Sequence, residues 1–169
     1  MRILSEAEAA NHLKVPAMHS FYSEEVAWRY PDVIPNYPLP KDSGKKVALA
    51  RLIVNLLLDH GPFCLWVTAT GIWPSSEHLD LFDRYRMSFG EHRDVHAAPV
   101  HLLEEADRAA GISLLCLALF FVWDVEIMAL DRSIAISVSH DEWMEVRHAE
   151  GETPLAEQFA QCLSRYETS

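Results

Sequence analysis

The sequence predicts an α+β domain: a small, mainly antiparallel sheet of about three strands against several helices, with a proline-rich N-terminal arm. Three observations carry that expectation. Half of the 169 residues are apolar and 23% are charged, enough to bury a continuous core without disulfide or metal staples. Helical and strand-like periodicities both occur along the chain. Five of the nine prolines (Pro16, Pro31, Pro35, Pro38 and Pro40) fall between Val15 and Asp42, where a missing N–H and a fixed φ keep regular structure short. The length fits a single domain over 1–169, with 1–42 as an irregular arm on a 43–169 core.

The elements follow in order. Ser5-x-x-Glu8 is a capping box, which predicts a short helix over 6–13. In the arm, Glu24–Tyr30 reads as an edge strand or a helical turn. Phe21, Tyr22, Trp28, Tyr30 and Tyr37 would hold the arm to the core. Asp42 or Ser43 caps a helix that stops before His60-Gly61-Pro62. Its run of Val47, Leu49, Leu52, Ile53, Val54, Leu56, Leu57 and Leu58 leaves little polar face, so this helix is expected to be central and the most buried element.

Phe63–Trp73 is rich in β-branched and aromatic residues and reads as a strand. Pro74-Ser75-Ser76 then caps a helix over 77–89. That helix sets Leu79, Phe82, Arg86 and Phe89 on one side, and Asp80 four residues before Arg84. Between Leu102 and Val122, the acidic start at Glu104, Glu105 and Asp107 and the leucines that follow favour helix to about Leu119. Strand remains the alternative for 112–119. Residues 121–130 and 134–138 alternate around Asp131-Arg132-Ser133 and form a hairpin. Thr153-Pro154 starts a C-terminal helix with Leu155, Phe159, Cys162, Leu163 and Tyr166 on its apolar stripe.

Charge and composition narrow the function classes. The formal net charge is −11, and all of it lies in 61–169, where eighteen acidic residues face seven basic ones. Such a surface disfavours nucleic acid and anionic membranes and suits a basic partner. The longest apolar run, Ile112–Trp123, is too short to span a bilayer, which takes about 20 residues. The first fifteen residues do not read as a secretory signal. Cys64, Cys116 and Cys162 are odd in number, far apart and set among apolar residues. They read as buried reduced thiols, and the chain as a cytoplasmic protein.

The candidate chemistry is sparse. Lys41, Lys45 and Lys46 precede a helix, where free N–H groups and ammonium groups hold anions. The competing reading is a solvated cap, since no Walker A pattern is present. His92 and His96 are four apart, with Asp94 and His101 near, but Gly90 and Pro99 leave barely one helical turn, so neither metal nor cofactor is expected. Ser139-His140-Asp141-Glu142-Trp143 cannot be a triad, because consecutive side chains do not converge. It reads as a capping box leading from strand into a short helix or turn, with His140 carrying no required bond. The competing reading is a ligand site of His140, Asp141 and Trp143. Asp124 and Glu126 share one strand face, either as an acid–base pair or as a solvent face. Trp66, Trp73, Trp123 and Trp143 would line one groove if their strands adjoin, or else fill the core. The leading expectation is therefore a non-catalytic acidic interaction or accessory module. The alternative is an enzyme or small-molecule-binding domain built on the Ser139–Trp143 segment and the strand-end tryptophans.

Overall fold

The computed structural model describes residues 1–13, 32–72, 77–149, 151 and 153–167. The α+β class holds, but the sheet has seven strands rather than about three. In chain order the elements are β1 (Arg2–Leu4), α1 (Glu6–Leu13), β2 (Asp32–Pro38), α2 (Ser43–His60), β3 (Phe63–Ala69), α3 (Leu79–Met87), β4 (Val100–Leu103), a 3-10 turn (Glu105–Asp107), α4 (Arg108–Phe121), β5 (Asp124–Ala129), β6 (Ile134–Ser139), β7 (Trp143–His148) and α5 (Thr153–Glu167). The sheet order is β1-β4-β3-β5-β6-β7-β2, with every neighbouring pair antiparallel.

The stretch expected to be an irregular arm supplies both edges of this sheet. β1 pairs with β4, and β2 pairs with β7 across an irregularity between Ile34 and Tyr37. Pro35 and Pro38 lie in β2, where an edge strand tolerates missing donors. Phe21, Tyr22, Trp28, Tyr30 and the Glu24–Tyr30 segment lie outside the described residues.

One face of the sheet carries the main core. α2 buries Leu49, Ala50, Ile53, Val54, Leu56, Leu57 and Leu58, as its continuous apolar surface requires. α4 packs along it and buries Leu114, Leu115, Ala118 and Leu119, so 112–119 is helix. Gly111 sits inside α4 rather than at its end. A Cβ there would meet Leu103 at 3.0 Å and Val54 at 3.3 Å, so the glycine allows the close approach. Phe159 and Leu163 of α5 complete this side. The opposite face carries a smaller cluster in which Leu4 and Ala9 meet Cys64, Trp66, Val100, Leu102, Met128 and Ala135.

Strand bounds differ from expectation where helix and strand meet. Phe121 ends α4 rather than starting β5. Val122 takes a left-handed conformation (φ 56°, ψ 53°), and the Trp123 N–H donates to the Ala118 carbonyl. That reversal turns Trp123 into the core. All three cysteines are free, and burial pushes the Cys64 thiol up to about 12, which makes it a poor nucleophile at neutral pH.

Candidate functional site at the loop end of the sheet

Strand register brings four connections to one end of the sheet. Ala69 lies opposite Asp124, Val138 opposite Val125, Ser139 opposite Trp143, and Trp143 opposite Pro38. α2 begins at this end and α4 finishes there, because the Lys46 ammonium donates to the Leu119 carbonyl at 2.8 Å. α3 also begins there, with the His78 ring 6.2 Å from that of Phe121.

The Ser139–Glu142 segment is a turn between β6 and β7, not the start of a helix. The Glu142 N–H donates to the Ser139 carbonyl at 3.0 Å, and the Asp141 N–H donates to the Ser139 hydroxyl at 3.2 Å. Glu142 has φ 62°, the left-handed value a tight hairpin demands. The capping-box spacing was therefore satisfied by a different backbone: Glu142 reverses the chain instead of folding back onto a helix N-terminus.

His140 does carry a bond, contrary to the cap expectation. Its Nδ1 lies 2.8 and 3.0 Å from the two Asp124 carboxylate oxygens, and its backbone N–H donates to Asp124 Oδ1 at 2.7 Å. A carboxylate only accepts, so Nδ1 holds the proton. His140 Nε2 sits 3.6 Å from Asp141 Oδ1. The hydrogen bond to Asp124 raises the His140 pKa above the usual histidine value, aided by both carboxylate charges and opposed by partial burial. A raised pKa means stability that is full below about 6.5 and lost as pH rises through the folded value. Replacing His140 by alanine is expected to cost about 0.2–1 kcal/mol at pH 6 and less at pH 9. Thermal unfolding at both pH values checks this. A loss that grows with pH would contradict the pairing.

Behind this turn, the face opposite the main core carries a polar row. Trp66, Glu126, Ser137 and Glu145 lie opposite one another on β3, β5, β6 and β7. The Ser137 hydroxyl donates to Glu126 Oε1 at 3.1 Å, while Glu126 Oε2 is closed from solvent and has no hydrogen-bond partner among the described residues. Glu145 is buried and pairs with the Arg147 guanidinium. Burial, then the Asp124 and Glu145 charges, push the Glu126 carboxyl well above the usual carboxylate range against the opposing Ser137 and Arg147 contacts. Glu126, like Asp124, is half-buried on the partly exposed parity of β5, with its Oε2 closed from solvent. Met128 shares its side of β5 and is buried.

A raised carboxyl pKa contributes stability below about 4.5, which is lost as pH rises through the folded value. Glu126→Gln removes that loss. Relative to wild type, the variant is expected to gain stability as the pH rises above about 4.5. Urea unfolding across that range tests it, and parallel pH profiles for the two proteins would show that Glu126 ionises normally.

The remaining candidates divide. Asp124, His140 and Asp141 converge, and Trp143 stands beside them at the head of β7, half-buried. Trp66 lies on one sheet face and Trp123 on the other, so the tryptophans do not share a groove. Trp73 lies outside the described residues. Lys46 is buried on the Leu119 carbonyl and is not available to an anion. The α2 N-terminus is occupied by its own cap, since Asp42 Oδ1 accepts from the Lys45 N–H at 2.9 Å. Lys41 and Lys45 remain at the surface beside it.

His92 and His96 are exposed, whereas His101 is fully buried on β4. Among the described residues no three potential ligands gather to hold a metal. The sequence reading missed Glu145 and Arg147, whose alternation with Met144 and Val146 in Trp-Met-Glu-Val-Arg-His is a strand signal. Comparison of the chain with protein-family models, with curated proteins and with solved structures gives no match.

Proposed function

We propose that this chain is a non-catalytic, acidic protein-binding module that docks a partner with a basic surface through the loop end of its sheet. The observation that carries the reading is a pair of exposed apolar side chains, Leu79 and Phe120, each 39% exposed, among acidic groups at that end. Asp80, Asp141 and Glu142 are exposed there, with Asp124 behind them. Leu81 and Met87 of α3 are also exposed. Protein interfaces combine an apolar centre with a polar rim, and opposite charge speeds encounter and rejects wrong partners.

The net charge of −11 works against nucleic acid or an anionic membrane as partner. Among the described residues no helix is long and apolar enough to cross a membrane. Free cysteines are in keeping with a cytoplasmic setting. Neither a cofactor nor a metal has a part in this reading.

The test is affinity capture from native cells, followed by crosslinking and mass spectrometry. The bait is wild type beside Asp80→Lys/Asp141→Lys/Glu142→Lys, with Glu105→Lys/Glu157→Lys as a control away from the site. A basic partner is expected with wild type and control, released by salt, crosslinked near α3 and lost in the triple variant. Capture that survives the triple reversal, or a captured set without a basic protein, defeats the reading.

One observation favours a second reading, a small-molecule site or enzyme near Ser139–Trp143. The Asp124–His140 pair stands beside the half-buried carboxyl of Glu126, an arrangement of the kind used to move protons. A metabolite that shifts the His140 titration, followed by NMR, would put this reading first.

A further inference from the structure

We infer that the cavity at the head of α2 binds a small anionic amphiphile: a carboxylate, sulfonate or phosphate ester head on an apolar body. This site goes beyond the docking reading and does not depend on it. The cavity holds about 350 Å³, within the usual range for small-molecule sites. Its floor is built by three separate elements, with Leu49 from α2, Met144 from β7 and Leu163 from α5. Each of these is no more than 3% exposed. Tyr37 of β2 adds an aromatic wall.

The mouth is different in character. Lys41 and Lys45 line it, and among the described residues neither ammonium has an ion-pair or hydrogen-bond partner. Asp42 also lines it, but its carboxylate already accepts from the Lys45 N–H. Two cationic groups therefore outweigh one anionic group on the rim of a protein whose net charge is −11. Lys46 takes no part, being held on the Leu119 carbonyl.

Rigidity supports a preformed site. Pro38 and Pro40 border the cavity and restrict the β2–α2 linker. Leu39 between them is tied to the next hairpin by its N–H, which donates to the Glu142 carbonyl at 2.8 Å. An apolar floor rewards a hydrocarbon body, and two unpaired lysines reward a negative head. A cationic amphiphile gains the first and is repelled by the second.

Octanoate is a suitable probe, titrated into the full chain by calorimetry and by amide NMR at low salt. Acetate, octanol and octylamine serve as comparison ligands. Saturable binding at one equivalent is expected, with a Kd below about 1 mM for so small a ligand. Shifts should centre on residues 37–49, 144 and 163. Octylamine and acetate should bind at least about tenfold more weakly. Lys41→Ser/Lys45→Ser should weaken octanoate about tenfold and erase its advantage over octanol. Because both side chains lack partners, the variant should keep its unfolding temperature, which separates lost binding from lost folding. Three results would each overturn the inference: no saturable binding, equal affinity for octanoate and octylamine, or undiminished octanoate binding in the lysine variant.

Discussion

Replacing Trp123 by alanine lowers the unfolding free energy by about 3–5 kcal/mol. Trp123 is fully buried and meets Phe82 edge-on at 4.9 Å and Phe121 at 5.1 Å between ring centroids. Aromatic pairs add about 0.5–1.5 kcal/mol beyond the area they bury. Phe82 is the fully buried anchor of α3, and Phe121 is the last residue of α4. The indole thus joins two helices to the head of β5, and truncation leaves a cavity that three elements cannot close together. Among the described residues its Nε1 has no partner, so Trp123→Phe gives up volume but no hydrogen bond, and should cost about 1–2 kcal/mol. Urea unfolding with matched slopes measures both. A loss below about 1 kcal/mol for the alanine variant would mean that the site collapses around the gap.

The second large effect is expected at Arg86. Its guanidinium is buried at 1% exposure, donates to the Arg93 carbonyl at 3.0 Å and to the Ala98 carbonyl at 2.6 Å, and lies 5.7 Å from the Phe82 ring centroid. These bonds hold the 91–98 loop against α3. Burial lowers the Arg86 pKa, and the charges of Glu91, Asp83 and Asp94 counter it. Arg86→Met keeps the apolar stem but leaves both carbonyls unpaired. At pH 7.5 it should cost about 2–4 kcal/mol, from hydrogen bonds to a charged donor worth about 1.5–3 kcal/mol each, less the relieved desolvation.

His101 gives this variant a pH signature. Burial, with the Arg86 charge second, holds the His101 pKa down at about 3. A depressed histidine contributes stability that is full above about 6.5 and lost as pH falls toward the folded value, because the unfolded chain takes up the proton first. Without the Arg86 charge the folded value moves closer to 6.5 and the acid loss narrows. The gap between wild type and Arg86→Met should therefore shrink only at acid pH, as the pH falls through the variant's folded His101 value toward about 3. His101→Leu should flatten the acid limb of the stability profile in either background. A gap that stays constant down to about pH 3 would show that the Arg86 charge does not reach His101.

Local signals and tertiary placement separate clearly in this protein. The Ser5-x-x-Glu8 box, the Asp42 cap with its Gly61 stop, and the Thr153-Pro154 start each matched a real helix. The first two rest on bonds within four residues, which the sequence writes directly. The burial of α2 was legible for the same reason, since an apolar surface all round has one physical use. The β5–β6 hairpin was legible from alternation and a short turn.

Strands β1, β4, β2 and β7 were not. β1 and β4 have three and four residues, too few for a period to emerge. β2 carries two prolines, and β7 carries charges on the side that the pairing later covers. Their existence depends on partners about a hundred residues away or more, as Leu4 does on Val100 and Asp32 on His148. The site divides in the same way. The acidity, the reduced cysteines, and the placing of His140, Asp141 and Asp124 near strand ends came from the sequence itself. Only the tertiary structure decided that His140 faces Asp124, that His101 and the Oε2 of Glu126 are closed from water, and that Lys46 turns inward while Lys41 and Lys45 stay at the rim. Strand pairing is set by non-local register, and a shift of one residue would move Asp124, Glu126 and His101 to the other face of the sheet.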